Sequence, residues 1–232
     1  MRFNPIKTRV MEPGEDILEF IISQCEIEDK ALLFISTKLF SYSENRFLDC
    51  HTKAELKKIA KSEAERFYDG TLVDLSLKKG LLVANSGVDE SNSMQGTVVL
   101  WPKDPQKSLD ELHKNLKFKL GIKNLGLVMV DTICNPLRDG VSGAAVCVSG
   151  FEIIDSKIGK KDIYGRELKF TKINVGDSLA ATANYLMGEA DEKTPLVIAK
   201  DTNVKFRDTY YNSIEKVSMQ PEDCMFAPIF KF

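Results

Sequence analysis

The sequence predicts an α+β fold of mixed and antiparallel sheets with flanking helices. Helical and strand-like stretches alternate without internal repeats or low-complexity tracts. The strand-like runs are short and irregularly spaced, unlike the even β-α-β rhythm of a doubly wound sheet. No shift in composition marks a linker, so residues 1–232 read as a single unit.

The elements follow in order. Pro13-Gly14 makes a turn, and Glu15 to Cys25 then reads as a helix with Ile17, Leu18, Phe20, Ile21 and Ile22 toward the core. Ala31 to Ile35 reads as a strand. The spacing predicts a helix over 53–67, opened by a Thr52/Glu55 capping box and lined on one face by Leu56, Ile59, Ala60, Ala64 and Phe67. Gly80 to Ala84 and Gly96 to Leu100 read as strands joined by the polar loop Asn85 to Gln95. After the break from Pro102 to Pro105, Ser108 opens a helix carrying Leu109, Leu112, Leu116 and Leu120, with Gly121 near its end. Leu125 to Val130 is an apolar strand, Asp131 to Gly143 a loop, and Ala144 to Val148 a buried strand. Ile163 to Phe170 reads as extended, Ile173 to Met187 as a helix stopped by Gly188, and Pro195 to Ala199 as a strand. The tail holds a short helix near Tyr211 to Val217 and an apolar end, Met225 to Phe232.

Bulk properties exclude several classes of function. Hydrophobic content of 43% and charged content of 28% are ordinary for a soluble domain. A net charge of −2 gives no polyelectrolyte signal for nucleic acid or an anionic membrane. The longest apolar runs fall far short of the roughly 20 residues that span a bilayer, and Met1 to Lys7 has no apolar signal core. Five scattered cysteines without a Cys-x-x-Cys spacing read as free thiols in a reducing cytoplasm. The two histidines, His51 and His113, read as structural or merely exposed, which leaves Ser-His-Asp and Cys-His hydrolases poorly supported.

Two apolar runs end abruptly in small polar and acidic residues. Leu81 to Ala84 runs into Asn85-Ser86-Gly87-Val88-Asp89-Glu90-Ser91-Asn92, and Leu127 to Val130 runs into Asp131-Thr132. Core strands that terminate this way place carboxylates at a sheet edge, where ligands commonly sit. Glu189 directly follows the Gly188 helix stop. Asp89, Asp131 and Glu189, with the Thr132 hydroxyl, can converge on Mg²⁺ or Mn²⁺, which prefer oxygen ligands. The commoner fate of acids at element ends is to cap a turn or helix, and both readings stay open here. Asn92 either contacts a nucleotide or forms a turn. Arg166, in Tyr164-Gly165-Arg166-Glu167, either grips a carboxylate or phosphate through its fork or pairs with Glu167 or Asp162. Neither a Walker-type loop nor a Gly-x-Gly-x-x-Gly occurs.

Together these pieces resemble the coenzyme F420-0:L-glutamate ligases, the γ-glutamyl ligases of deazaflavin cofactor synthesis. The matching text is Asn85 to Asn92; Pro102-Lys103-Asp104-Pro105 with Ser108; Asp131-Thr132 with Pro136, Arg138 and Gly140; Asp162 to Leu168 with Thr171; and Met187-Gly188-Glu189-Ala190 with Pro195. The resemblance covers most of the chain from Pro13 to Lys200. It implies a γ-glutamyl ligase-like α+β fold in an intertwined homodimer, GTP as co-substrate, and two divalent cations (Mn²⁺ or Mg²⁺), with K⁺ as an additional cation. It implies that a small-molecule acceptor's carboxylate tail is activated as an acyl phosphate and captured by L-glutamate. By the match, Asp89 and Asp131 hold one metal, and Thr132 and Glu189 the other. Asp89, Asp131 and Arg166 carry the chemistry. Thr8, Arg9, Val10, Met11, Thr37, Lys38, Asn92, Met187, Gly188 and Ala190 frame the nucleotide. Two positions depart from the family: Tyr42 stands where its motif Ser-Lys-x-Glu-Gly-Arg has Lys, and Cys134-Asn135 stand where a Gly-Arg pair is usual. These changes admit a folate or pterin acceptor, or a non-catalytic nucleotide-binding relative, as alternatives.

Overall fold

The computed structural model describes residues 1–228; the last four residues of the apolar end fall outside that range. The elements are β1 (Arg2–Ile6), α1 (Ile17–Gln24), β2 (Ala31–Ser36), α2 (Thr37–Ser43), β3 (Phe47–Asp49), α3 (Lys53–Glu63), β4 (Arg66–Tyr68), β5 (Leu75–Lys78), β6 (Leu81–Ala84), β7 (Thr97–Val99), α4 (Pro105–Leu120), β8 (Leu125–Cys134), β9 (Val141–Ser149), β10 (Ile154–Ser156), β11 (Lys172–Asn174), α5 (Val175–Met187), β12 (Leu196–Lys200) and α6 (Ser213–Val217). Among the described residues the central sheet has five strands in the order β1-β12-β2-β8-β9. Only β2 and β8 run parallel within it; the other neighbours are antiparallel. The mixed α+β class expected from the sequence is what this sheet and its flanking helices form.

Period-2 alternation divides the central strands between two cores. Leu33, Ile35, Leu127 and Met129 pack with α1 and α4 through Phe20, Ile21, Leu109, Leu112 and Leu116. Leu32, Phe34, Val128 and Val130 pack with α5 through Leu179, Ala180, Ala183 and Met187. Burial on both faces explains why these strands read as continuous apolar runs. A third, smaller cluster around Ala60, Val88, Val98 and Leu100 joins α3 to β7.

Several boundaries differ from the sequence reading. The helix from Lys53 stops at Glu63, because Arg66–Tyr68 pairs antiparallel with Leu75–Leu77. Phe67 therefore reaches the same small core from a strand. The helix expected from Ser108 starts at Pro105, with the Asp104 side chain accepting from the Lys107 N–H; Pro at the first turn loses no helical bond. The expected loop after Val130 is instead a hairpin: β8 continues through Asp131 to Cys134, paired with Val141 to Ala144. Ile163 to Phe170 forms turns, closed by a Lys161–Glu167 bridge, rather than an extended strand. The helix expected from Ile173 begins two residues later, capped by Asn174, and the tail helix begins at Ser213, capped by Asn212. Strands β1, β3, β4, β5, β10 and β11 and helix α2 had no counterpart in the sequence reading.

The capping box is present in both directions, Thr52 Oγ1 accepting from the Glu55 N–H and the Glu55 carboxylate from the Thr52 N–H. Thr52→Ala should cost about 1 kcal/mol and lower Tm by about 2–4 °C in a chain of this length, read by thermal and urea unfolding. An unchanged midpoint would show that the cap contributes nothing.

Candidate active site

Strand β8 leaves the core at its C-terminal end, where the pairing with β9 slips between Met129 and Val130. The extra residue, Val146, is on β9, so β8 itself runs on without a break; such bulges concentrate next to active sites. Beyond it, Asp131 falls in line with Leu127 and Met129, and Thr132 with Val128 and Val130. Gly143, opposite Thr132, lets α5 approach closely: a Cβ there would lie 2.4 Å from the Asn184 Cβ and 2.6 Å from the Ala180 oxygen. The end of α5 and the segment after Gly188 are thereby brought beside the end of β8.

Two cavities meet at this edge. The larger, about 410 Å³, is framed by Thr8 to Met11 on one side and by Met187 to Pro195 on the other. Thr8 N–H donates to the Lys193 oxygen at 2.8 Å, and Asn92 Nδ2 donates to the Ala190 oxygen at 3.1 Å, which ties the strips together. Of the residues assigned by resemblance to the nucleotide, Thr8, Arg9, Val10, Met11, Lys38, Asn92, Met187, Gly188 and Ala190 all line this cavity. Thr37 lines the other, smaller cavity, about 220 Å³, together with Asp89 and Trp101. Lys38, Asp131 and Thr132 line both and form their common wall. Glu189 lines the larger cavity and accepts from Asn184 Nδ2 at 2.8 Å.

The charge at the common wall is unbalanced. Lys38 Nζ donates to Asp89 Oδ2 at 2.5 Å. Burial pulls the Lys38 ammonium down, but Asp89, Asp131 and Glu189 more than reverse this and hold its pKa above the ordinary value. Burial works against the Asp89 carboxylate too, yet Lys38 and two donors from Ser91 bring it below the usual range. Asp131 is different. Burial pushes its carboxyl up, and Lys38, the Thr132 N–H at 2.8 Å and the Trp101 indole N–H do not restore it. Three carboxylates thus share one lysine, and the surplus negative charge and all-oxygen donor set suit a hard divalent cation. Among the described residues, however, no three Asp, Glu, His or Cys side chains gather closely enough to hold a metal. The four expected ligands reach the walls of adjoining cavities without closing into a cage.

Sequence reasoning missed Trp101, the only tryptophan in the chain. Its indole N–H donates to Asp131 Oδ2, and Lys78 Nζ lies 5.4 Å from its ring centre. The ring fits because residue 87 is glycine. Gly87 has φ +67°, and a Cβ there would sit 2.4 Å from the indole nitrogen. The signal was available in the Gly of the Asn85–Asn92 motif and in the residue just before Pro102. Arg166 lines neither cavity. It sits in an exposed turn where its backbone N–H donates to Asp162 Oδ1 at 2.9 Å. Both departures from the family act as local braces. Tyr42 packs edge-on against Phe47 at 4.7 Å and donates its hydroxyl to the Asn92 oxygen at 3.0 Å. Asn135 Nδ2 donates to Ser142 Oγ at 2.7 Å across the hairpin.

Residues 59–201, more than half of the chain, match the family model described as F420-0:Gamma-glutamyl ligase. The chain belongs to this family. It is similar to the coenzyme F420:L-glutamate ligase of Methanopyrus kandleri, 35% identical over 218 residues, covering 85% of this chain and 86% of that protein. The ligase of the same name from Methanocaldococcus jannaschii is 35% identical over 216 residues, covering 85% and 86%. That of Archaeoglobus fulgidus is 31% identical over 212 residues, covering 84% and 85%. Membership makes the chain an amide-forming ligase. Among the described residues no helix is long and apolar enough to cross a membrane, and all five cysteines are free thiols.

Gly87→Ala should destabilise the fold by at least about 1 kcal/mol through the left-handed φ alone, with the indole clash added. Because Trp101 is the only tryptophan, its emission should shift in the same variant. Unaltered emission together with unaltered stability would show that Gly87 does not make room for the ring.

Proposed function

We propose that this ligase joins L-glutamate to the carboxylate tail of coenzyme F420-0, using GTP to activate that carboxylate. The observation that carries the reading is the meeting of two cavities at the wall of Lys38, Asp131 and Thr132. The larger cavity lies within the size range of small-molecule sites, roughly 300–1,000 Å³, and is framed by the strips the resemblance gives to the nucleotide. The names of the relatives supply the acceptor class.

A carboxylate is a poor electrophile, and phosphoryl transfer from GTP gives it a leaving group. The glutamate nitrogen then forms the C–N bond as the C–O bond to phosphate breaks. Phosphate leaves with the bonding pair, and the amine loses a proton to water. Lys38 supplies positive charge where these anionic groups meet, and Trp101 fixes the rotamer of Asp131. Asp89 and Asp131, with Thr132 and Glu189, would hold two divalent cations, Mn²⁺ or Mg²⁺. Bound there, such ions would offset phosphate charge. We assign the protein to the cytoplasm and to a homodimer. The dimer is supported by Ile163, Tyr164 and Phe170, which stand 90%, 80% and 87% exposed on one arm.

The test is mass spectrometry of an acceptor panel, deazaflavin and folate among them, incubated with glutamate, GTP and Mn²⁺. A gain of one or more glutamyl units on the deazaflavin is expected. A gain on the folate alone would reassign the acceptor, and no gain on any acceptor would sink the reading. Asp131→Asn should abolish that product while leaving thermal stability equal or higher, because a buried and under-neutralised charge is removed. Wild-type turnover in this variant would take Asp131 out of the mechanism.

A further inference from the structure

We propose that an arm of this chain crosses to a second copy, where Arg166 at its tip grips an anionic oxygen of the substrates, phosphoryl or carboxylate, in that copy's active site; this rests on the ligase and homodimer readings above. The arm runs from Lys157 to Lys172 and is rooted in the two-stranded β10–β11 sheet, outside the central one. It closes on itself as a ladder. Lys157 N–H donates to the Thr171 oxygen at 2.9 Å, Gly159 N–H to the Leu168 oxygen at 2.9 Å, and Asp162 N–H to the Arg166 oxygen at 2.8 Å. The Asp162 carboxylate accepts from the Tyr164 and Arg166 N–H groups, each at 2.9 Å, and so sets the tip. Among the described residues, nothing from Gly159 to Phe170 hydrogen-bonds or ion-pairs outside the arm itself.

The arm is thus internally braced and bare toward its own chain. Ile163, Tyr164 and Phe170 leave large apolar side chains in water, and a surface of that kind marks an interface. Charge selects a second copy as the occupant. Residues 157–172 carry six basic and two acidic side chains, whereas Glu189, Asp191 and Glu192 line the larger cavity. Apolar side chains near the site are bare as well. Tyr185 is 86% exposed beside the Asn184 that holds Glu189, and Leu137 is 100% exposed at the tip of the β8–β9 hairpin. Arg166 does not reach its own site: it lines neither cavity, and α5 separates the root of the arm from the larger one by about 18 Å along its axis. Its guanidinium pairs with neither Asp162 nor Glu167, so among the described residues its fork is free for a ligand. A twofold axis makes the contact reciprocal, so each copy gives one arm and each site receives one.

Subunit complementation tests the assignment. Arg166→Ala should lower kcat/KM at least about a hundredfold, with Tm and the dimeric mass by light scattering unchanged because the side chain is exposed. A larger rise in the KM for GTP than for the acceptor assigns the oxygen to phosphoryl, and the reverse to carboxylate. The deciding species is a heterodimer, purified through two different tags, of one Arg166→Ala chain and one Asp131→Asn chain. Exchange of arms gives it one site with both residues intact and one with neither, so it should show about half of the wild-type rate although both parent homodimers are inactive. If Arg166 serves its own chain, both sites are broken and the heterodimer is as inactive as its parents. That result would overturn the proposal, as would wild-type turnover by Arg166→Ala. A second variant needs no turnover: Ile163→Asp with Phe170→Asp should give a monomer by light scattering with Trp101 emission unchanged. A wild type that is itself monomeric would remove the exchange of arms while the ligase reading stood. A dimeric wild type that glutamylates no acceptor would overturn the ligase reading instead.

Discussion

The placement of one carboxylate, Asp131, governs the architecture of this edge of the molecule. It lies at the point where a fully buried strand leaves the core, and burial makes its charge costly. Three features answer that cost: the Thr132 N–H, the Trp101 indole N–H and the Lys38 ammonium nearby. Each is delivered by a different part of the chain. The unbroken alternation of β8 puts Asp131 in line with Leu127 and Met129, Gly87 makes room for the indole, and Ser36, whose side chain accepts from the Lys38 N–H, starts the helix that presents Lys38. None of them neutralises the site fully. A fold optimised only for stability would have put an apolar residue at position 131. Keeping an under-compensated acid in that position is the kind of local cost that accompanies a ligand site.

Delivery of so many groups to one place depends on the strand order of the central sheet. β2 and β8 are neighbours and parallel, so their C-terminal ends lie together, and β2 runs directly into α2 with Lys38 in its first turn. β12 is antiparallel to β2, so its N-terminal end, just after Lys193, Thr194 and Pro195, reaches the same edge. β1 is antiparallel to β12, so its C-terminal end leads Thr8 to Met11 there as well. Four strand ends separated by up to about two hundred residues thus meet at one side of one sheet. This follows the general tendency of ligands to sit beyond the carboxyl ends of parallel strands.

How much of this was legible in the sequence depended on where the signal sat. Asp89 and Asp131 could be read because each closes an apolar run, and the change from core to charge is local. The capping box at Thr52 and the Gly188 stop were legible for the same reason. Helix α2 was hidden because seven residues beginning Thr37-Lys38-Leu39 are too short to establish a helical period. Strand β1 was hidden by Pro5 and its polar neighbours, which an edge strand tolerates. The length of β8 was underestimated because polar residues from Asp131 onward resembled a loop, while the pairing that keeps them extended comes from β9. Trp101 left only an indirect signal, the Gly of the Asn85–Asn92 motif, because its partner lies 30 positions away and the missing Cβ of Gly87 permits the contact.

The two positions that break the family pattern show why substitution alone is a poor guide to loss of function. Tyr42 removes a cation from the larger cavity, yet its hydroxyl braces the backbone of Asn92, whose amide in turn holds Ala190. The aromatic side chain thus ties α2, the Asp89–Asn92 turn and the segment after α5 into one wall. Lys38 stands one helical turn earlier, lines the same cavity, and is held positively charged by the surrounding acids. Charge on this wall therefore does not depend on position 42, and a tyrosine there exchanges electrostatic contact for mechanical support. Asn135 makes the same kind of exchange in the hairpin, where its bond to Ser142 steadies the strands that carry Thr132. Both changes leave the acids and their donors in place, which is what a ligase retaining its chemistry requires.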